Sequence, residues 1–129
     1  MDKQKLLDQI QEYLKEELSD AEKAEPAGER VKEIKSLLLM YRFLPVRNYT
    51  AEDVIVPSAL VELKLGSATA YYYVAPQGGG LITKVDDRAV QVITPNSPLG
   101  EKLLGKKVGD LIHVETRSGT REYQVVSLV

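Results

Sequence analysis

The period of the hydrophobic pattern changes once along this chain, and that change decides what it can fold into. Up to Tyr41 apolar residues recur every three or four positions. Leu7, Ile10, Leu14 and Ala21 form one stripe, widened by Leu6, Tyr13 and Leu18, and Val31, Ile34, Leu38 and Tyr41 form a second. That spacing predicts amphipathic helices. From Val61 onward the period is two: Val61, Leu63 and Leu65 alternate with Glu62 and Lys64, and Ile112 and Val114 with His113 and Glu115. Period two predicts strands. One half of the chain is therefore helical and the other is sheet.

Punctuation refines the helical half. Glu25-Pro26-Ala27-Gly28 interrupts it, because Pro disfavours helix at the preceding residue and Gly weakens it locally. The first helix, Asp2 to Lys23, would be roughly 33 Å long at 1.5 Å per residue. The second should end before Pro45. Neither helix can hide its stripe alone, so the pair should fold back as an antiparallel hairpin over residues 1–44. Such a hairpin either projects as a short coiled-coil finger or lies as a cap on the sheet. Residues 45–58, from Pro45 past Pro57, show little periodicity and read as a linker.

In the second half, Tyr71-Tyr72-Tyr73-Val74, Val90 to Thr94 and Tyr123 to Leu128 add further strands, and Ser118-Gly119 marks a hairpin turn. One short helix interrupts them. Ser97 can cap it, Pro98 suits its first position, Leu99, Leu103 and Leu104 give it an apolar face, and Gly105 is placed to end it. The expected class is α+β: a helical hairpin, then over residues 59–129 an antiparallel sheet with one short helix.

Composition narrows the function. The 129 residues are 43% hydrophobic, enough for one compact core, and the formal net charge is -2. That balance gives no electrostatic drive toward naked nucleic acid. Without cysteine there is neither thiol chemistry nor thiolate-bound zinc. The charged N-terminal stretch is unlike a secretory signal, and the longest apolar run, Leu37 to Tyr41, is far short of a membrane span. A cytoplasmic protein with no membrane contact is the expectation, so the Asn48-Tyr49-Thr50 glycosylation sequon carries no weight.

Three words in one order carry a resemblance: Asn96-Ser97-Pro98-Leu99-Gly100-Glu101-Lys102-Leu103-Leu104-Gly105-Lys106, then Val108-Gly109-Asp110, then Gly119 to Ser127. This stretch resembles the C-terminal domain of the Gre factors, the bacterial transcript-cleavage factors. The likeness covers roughly the last 70 residues, an ordinary size for a small domain. It weakens between Ala59 and Ala89, and in the helices only Glu29 to Ile34 echoes it. The resemblance implies an FKBP-like fold, docked at the rim of the secondary channel of bacterial RNA polymerase. It also implies that the polymerase supplies the active site, so the chain has no catalytic residue, cofactor or metal of its own. The family's Ser-Pro loop contributes to docking; here that loop is Asn96, Ser97, Pro98 and Leu99. Helix-cap chemistry explains the same Ser and Pro without any partner, and both readings stay open.

The finger departs from the family. Gre factors carry longer helices with an Asp-x-x-Glu-Asn type word at the tip. Here the turn offers Asp20, Glu22 and Glu25, which do not reproduce it. A shortened finger on such a domain is similar to the Rnk proteins, and implies polymerase binding without cleavage stimulation. Competing readings are a module that self-associates through the hairpin, where Leu37 to Met40 exceed one stripe, and a peptidyl-prolyl isomerase.

Other motifs lead nowhere. Gly100 to Lys107 nearly spells a phosphate-binding loop, but Lys107 stands where Ser or Thr is needed and Glu-Lys-Leu-Leu prefers helix. Gln77-Gly78-Gly79-Gly80 reads as a flexible loop. His113 is alone and should be exposed. Tyr71, Tyr72 and Tyr73 lack the basic surroundings of a base-stacking groove.

Overall fold

The computed structural model describes residues 1–129. Helix α1 spans Lys3–Ala24 and α2 spans Glu29–Phe43. Asp2 caps α1, its carboxylate accepting from the backbone N–H groups of Gln4 and Lys5. Strands β1 (Leu60–Leu65), β2 (Ala68–Val74), β3 (Ile82–Val85) and β4 (Arg88–Ile93) follow. After them come α3 (Pro98–Leu103), β5 (Leu111–Thr116) and β6 (Gly119–Leu128). No helix is long and apolar enough to cross a membrane.

The six strands form one sheet in the order β3-β4-β2-β1-β6-β5. The sheet is mixed rather than wholly antiparallel as expected, because β2 and β4 run parallel, Tyr71 opposite Val90 and Tyr73 opposite Val92. The cause is β3, which the sequence reading passed over. It forms a hairpin with β4 through Asp86 and Asp87, both at positive φ, the geometry a two-residue turn between twisted strands requires. That hairpin turns β4 parallel to β2. At β6 the pairing with β1 slips by one residue between Glu62 and Leu63. Val126 is the extra residue of this bulge, and the slip puts Leu128 on the same face as Val125.

Strand alternation divides the core in two. Leu60, Tyr73, Val90 and Val92 face one way and are buried with Leu6, Leu7, Ile10, Leu14, Ile34 and Tyr41 of the helices. Val61, Leu63, Val74 and Ile93 face the other way, buried with Ile55, Leu103, Ile112, Val114 and Val125. The hairpin is thus a layer on one face, over the β3–β4–β2 half, while α3 and Ile55 close the opposite face. The cap alternative describes most of its length; only the turn stands clear, with Glu22 to Ala27 all exposed. Fully burying one Leu or Ile side chain contributes about 1.5–3 kcal/mol, so this contact is a large part of the fold's stability.

The segment read as a linker is tied down. Ile55 exchanges backbone hydrogen bonds with the Gly105–Lys106 turn. Ser58, buried at φ 86°, donates its N–H to the Val74 carbonyl at 2.6 Å, and its hydroxyl meets that of Tyr49 at 2.7 Å.

Candidate functional site

The Ser-Pro corner is built by its own backbone. Leaving β4, the chain turns back so that the Ser97 N–H and hydroxyl both donate to the Thr94 carbonyl, at 3.1 and 2.7 Å. The same hydroxyl accepts from the Gly100 N–H at 3.1 Å, capping α3. Pro98 occupies the first turn of the helix, where no N–H is needed. The turn is so tight that a Cβ on Gly100 would lie 1.9 Å from the Thr94 oxygen; only glycine fits.

Cap chemistry consumes the Ser97 hydroxyl, and what the corner shows outward is different. Asn96 and Pro98 are exposed, while Ser97 and Leu99 are half-buried. Leu99 packs against the second core and Leu103 is buried in it, which fixes the helix to the sheet. The four residues predicted from sequence thus stand together at one accessible, rigid corner.

Beside the corner a shallow groove of about 500 Å³ separates α3 from the edge strand β5. It is lined by Pro98, Glu101, Lys102, His113, Glu115 and Thr120, with Val114 at its floor. His113 is exposed, its Nε2 2.9 Å from the Glu122 carboxylate. Sequence reasoning placed His113 and Glu115 on one side of a strand but missed that they border α3, because that is set by the crossing of α3 to the sheet edge. The groove is polar and open, suited to a protein ridge.

The acidic candidates Asp20, Glu22 and Glu25 lie exposed around the α1–α2 turn. The Glu25 side chain folds over Gly28, and no three acidic or histidine side chains converge into a group that could hold a metal ion. Near here Arg30 of α2 bridges to Glu17 of α1 at 3.7 Å and pairs within its own helix with Glu33 at 3.3 Å. Of the other motifs, Gly100 to Leu103 is helix where a phosphate cradle needs open loop. Tyr73 is fully buried and Tyr72 packs on the second core. Tyr71 accepts a 2.7 Å hydrogen bond from Arg88.

Comparison with known proteins matches residues 52–128 to the family model described as "Transcription elongation factor, GreA/GreB, C-term". Transcription elongation factor GreA of Thermotoga maritima is 29% identical over 140 residues, covering 98% of this chain and 85% of that protein. GreA of Clostridium perfringens strain 13 is 44% identical over a shorter stretch of 36 residues. Among solved structures, the transcription factor Gfh1 superposes with a TM-score of 0.51 at 21% identity, covering 95% of this chain and 90% of that one. Thermus aquaticus Gfh1 does so with 0.50 at 20%, over the same shares. These two likenesses concern the fold.

Proposed function

The chain belongs to the GreA/GreB transcription elongation factor family, and from that premise we propose that it binds bacterial RNA polymerase through the corner Asn96–Leu99. The observation that carries the reading is the exposure of Asn96 and Pro98 on a turn held by the Ser97 hydroxyl, which donates to the Thr94 carbonyl and accepts from the Gly100 N–H. A surface held this rigidly loses little side-chain freedom on docking, which favours affinity. The groove between α3 and β5 extends the contact.

The proposal includes a division of labour. Residues 59–129 supply the docking surface, residues 45–58 join it to the helices, and residues 1–44 form a short helical hairpin, packed on the sheet except at its turn, that modulates elongation without stimulating transcript cleavage. Three features support this. Helix α2 has 15 residues, about 22 Å of helix. Helix α1 packs on β3 and α2 packs on α1, both contributing to the core over the sheet and leaving little to reach outward. The acidic residues at the turn diverge into solvent. The polymerase then keeps the catalytic centre, and the chain is a regulator rather than an enzyme.

Binding of labelled chain to core polymerase tests the reading. Asn96→Asp adds charge at an exposed position of the corner, and Pro98→Ala removes the exposed ring. Each should weaken binding about ten-fold or more, a loss of about 1.4 kcal/mol, with melting temperature little changed. Unaltered affinity in both would overturn the corner as the docking site. In stalled elongation complexes the chain should leave the RNA uncut and reduce cleavage by an added longer-fingered factor. Direct stimulation of cleavage would overturn the second half.

A further inference from the structure

The most exposed large apolar side chain is Phe43 at 72%, and Leu39, one helical turn before it, is 56% exposed. Residues four apart on a helix are neighbours, so these two make one ridge on the outer face of α2, away from both cores. Their surroundings are unusual for this chain. From Ile34 to Ala51 there is no Asp or Glu, although the whole sequence holds 19. That stretch carries Lys35, Arg42 and Arg47 instead, and none of the three takes part in a salt bridge. Arg42 lies over the Phe43 ring at 5.6 Å. A cation in the last turn of a helix complements the helix dipole, which accounts for Arg42 but for neither Lys35, Arg47 nor the exposure of the ring.

We propose that this face of α2 is a docking surface for an acidic amphipathic helix of a partner protein, its apolar residues seated on Leu39 and Phe43 and its carboxylates on Lys35 and Arg42, with Arg47 just beyond the helix end adding to the positive charge. Charge complementarity selects the occupant: a local excess of three uncompensated cations in a chain of net charge -2 attracts acidic surfaces and no others. A second copy fits poorly, because a two-fold interface sets each patch against itself and brings Arg42 toward Arg42. Single-stranded RNA fits poorly too. Stacking platforms use several aromatics, and the one ring here is already covered on one side by Arg42. The surface is separate from the Ser-Pro corner and does not depend on that reading.

The test is an NMR titration of the full chain, labelled with nitrogen-15, using two synthetic peptides of about 18 residues, long enough to form helix on a surface. Both carry Leu at helical spacing; one is flanked by Glu, the other by Lys. The Glu peptide should shift the amide signals from Lys35 to Phe43, with affinity falling as salt is raised. Arg42→Glu and Phe43→Ser should each weaken it about ten-fold; both side chains are exposed, so the fold should be unaffected. Pro98→Ala should leave it unchanged. The proposal is overturned if the Glu peptide causes no shift at millimolar concentration or if the Lys peptide binds equally. It is overturned as well if oligouridine shifts these signals instead, or if light scattering finds a dimer that Phe43→Ser dissolves.

Discussion

Lys3 lies against Val129, 126 residues away in sequence, its ammonium donating to the Val129 carbonyl at 2.8 Å. It also donates to the Arg47 carbonyl and lies 4.6 Å over the Tyr49 ring. One cation at the start of α1 thus fastens the helical hairpin to the segment after α2 and to the end of β6.

Only 3% of Lys3 is exposed, and burial pushes its pKa down to about 8 from 10.5. The sign of the consequence follows from linkage. Between pH 8 and 10.5 the unfolded chain binds the proton and the folded one has released it, so stability rises with pH across that window. Below pH 8 the cost of burying the charge is constant. Urea midpoints measured against pH should climb through this range in the native chain and stay level in Lys3→Met. Lys3→Ala should cost about 2 kcal/mol at neutral pH, since two carbonyls lose their donor.

Tyr41 and Tyr73 act in the opposite direction at higher pH. Both hydroxyls are buried with no hydrogen-bond partner in the protein. Burial pushes the Tyr41 pKa up to about 12. It raises that of Tyr73 too, helped by Tyr41 and Tyr49 nearby. Above pH 10 the unfolded tyrosines ionise first, so stability falls as pH rises. The native chain should therefore be most stable near pH 10. Tyr41→Phe and Tyr73→Phe remove unpaired buried hydroxyls, and each should stabilise by up to about 1 kcal/mol and move alkaline unfolding upward. Circular dichroism against pH decides it; lower stability in both variants would mean the hydroxyls do find partners.

Gly100 offers a way to disturb the corner from inside. A Cβ there collides with the backbone oxygen of Thr94 at 1.9 Å and crowds the Ser97 hydroxyl at 2.8 Å, and neither is a flexible side-chain end that could swing away. Gly100→Ala should cost about 2–4 kcal/mol and weaken polymerase binding, with no exposed residue changed. Ser97→Ala, which loses the cap and the hydroxyl's bond to the Thr94 carbonyl but clashes with nothing, should cost about 1–2 kcal/mol. Thermal melts that rank the two the other way would contradict the geometry.

What the sequence made legible, and what it hid, have physical causes. Local signals are reliable: the stripes at three- and four-residue spacing mark α1 and α2, and Ser97, Pro98 and Gly105 bound α3, because caps and periodicity act within a few residues. Long-range pairing is not. Ile82–Val85 is too short and too exposed on one side to stand out, and without β3 nothing in the sequence makes β2 and β4 parallel. The stripes also leave open what they bury against. Leu6, Ile10 and Ile34 look the same whether they face another helix or Tyr73 and Val92. The corner is legible because its cap is local; the groove beside it is not, since His113 and Lys102 come to line one groove only through tertiary packing.

That shared core leads to the last prediction. If the helices were an independent finger, residues 45–129 would fold without them, and a helix mutation would give two separate unfolding transitions. The packing argues otherwise. Deleting residues 1–44 would bare Leu60, Tyr73, Val90 and Val92, all within 2% of complete burial, and apolar faces of that kind bind dyes and aggregate. The truncated chain should be molten or insoluble. In the full chain Ile34→Ala, at a fully buried position on α2, should cost about 2–5 kcal/mol. It should lower the midpoint of one transition reported equally by helix circular dichroism and by the fluorescence of the sheet tyrosines. Two separated midpoints would show that hairpin and sheet fold apart.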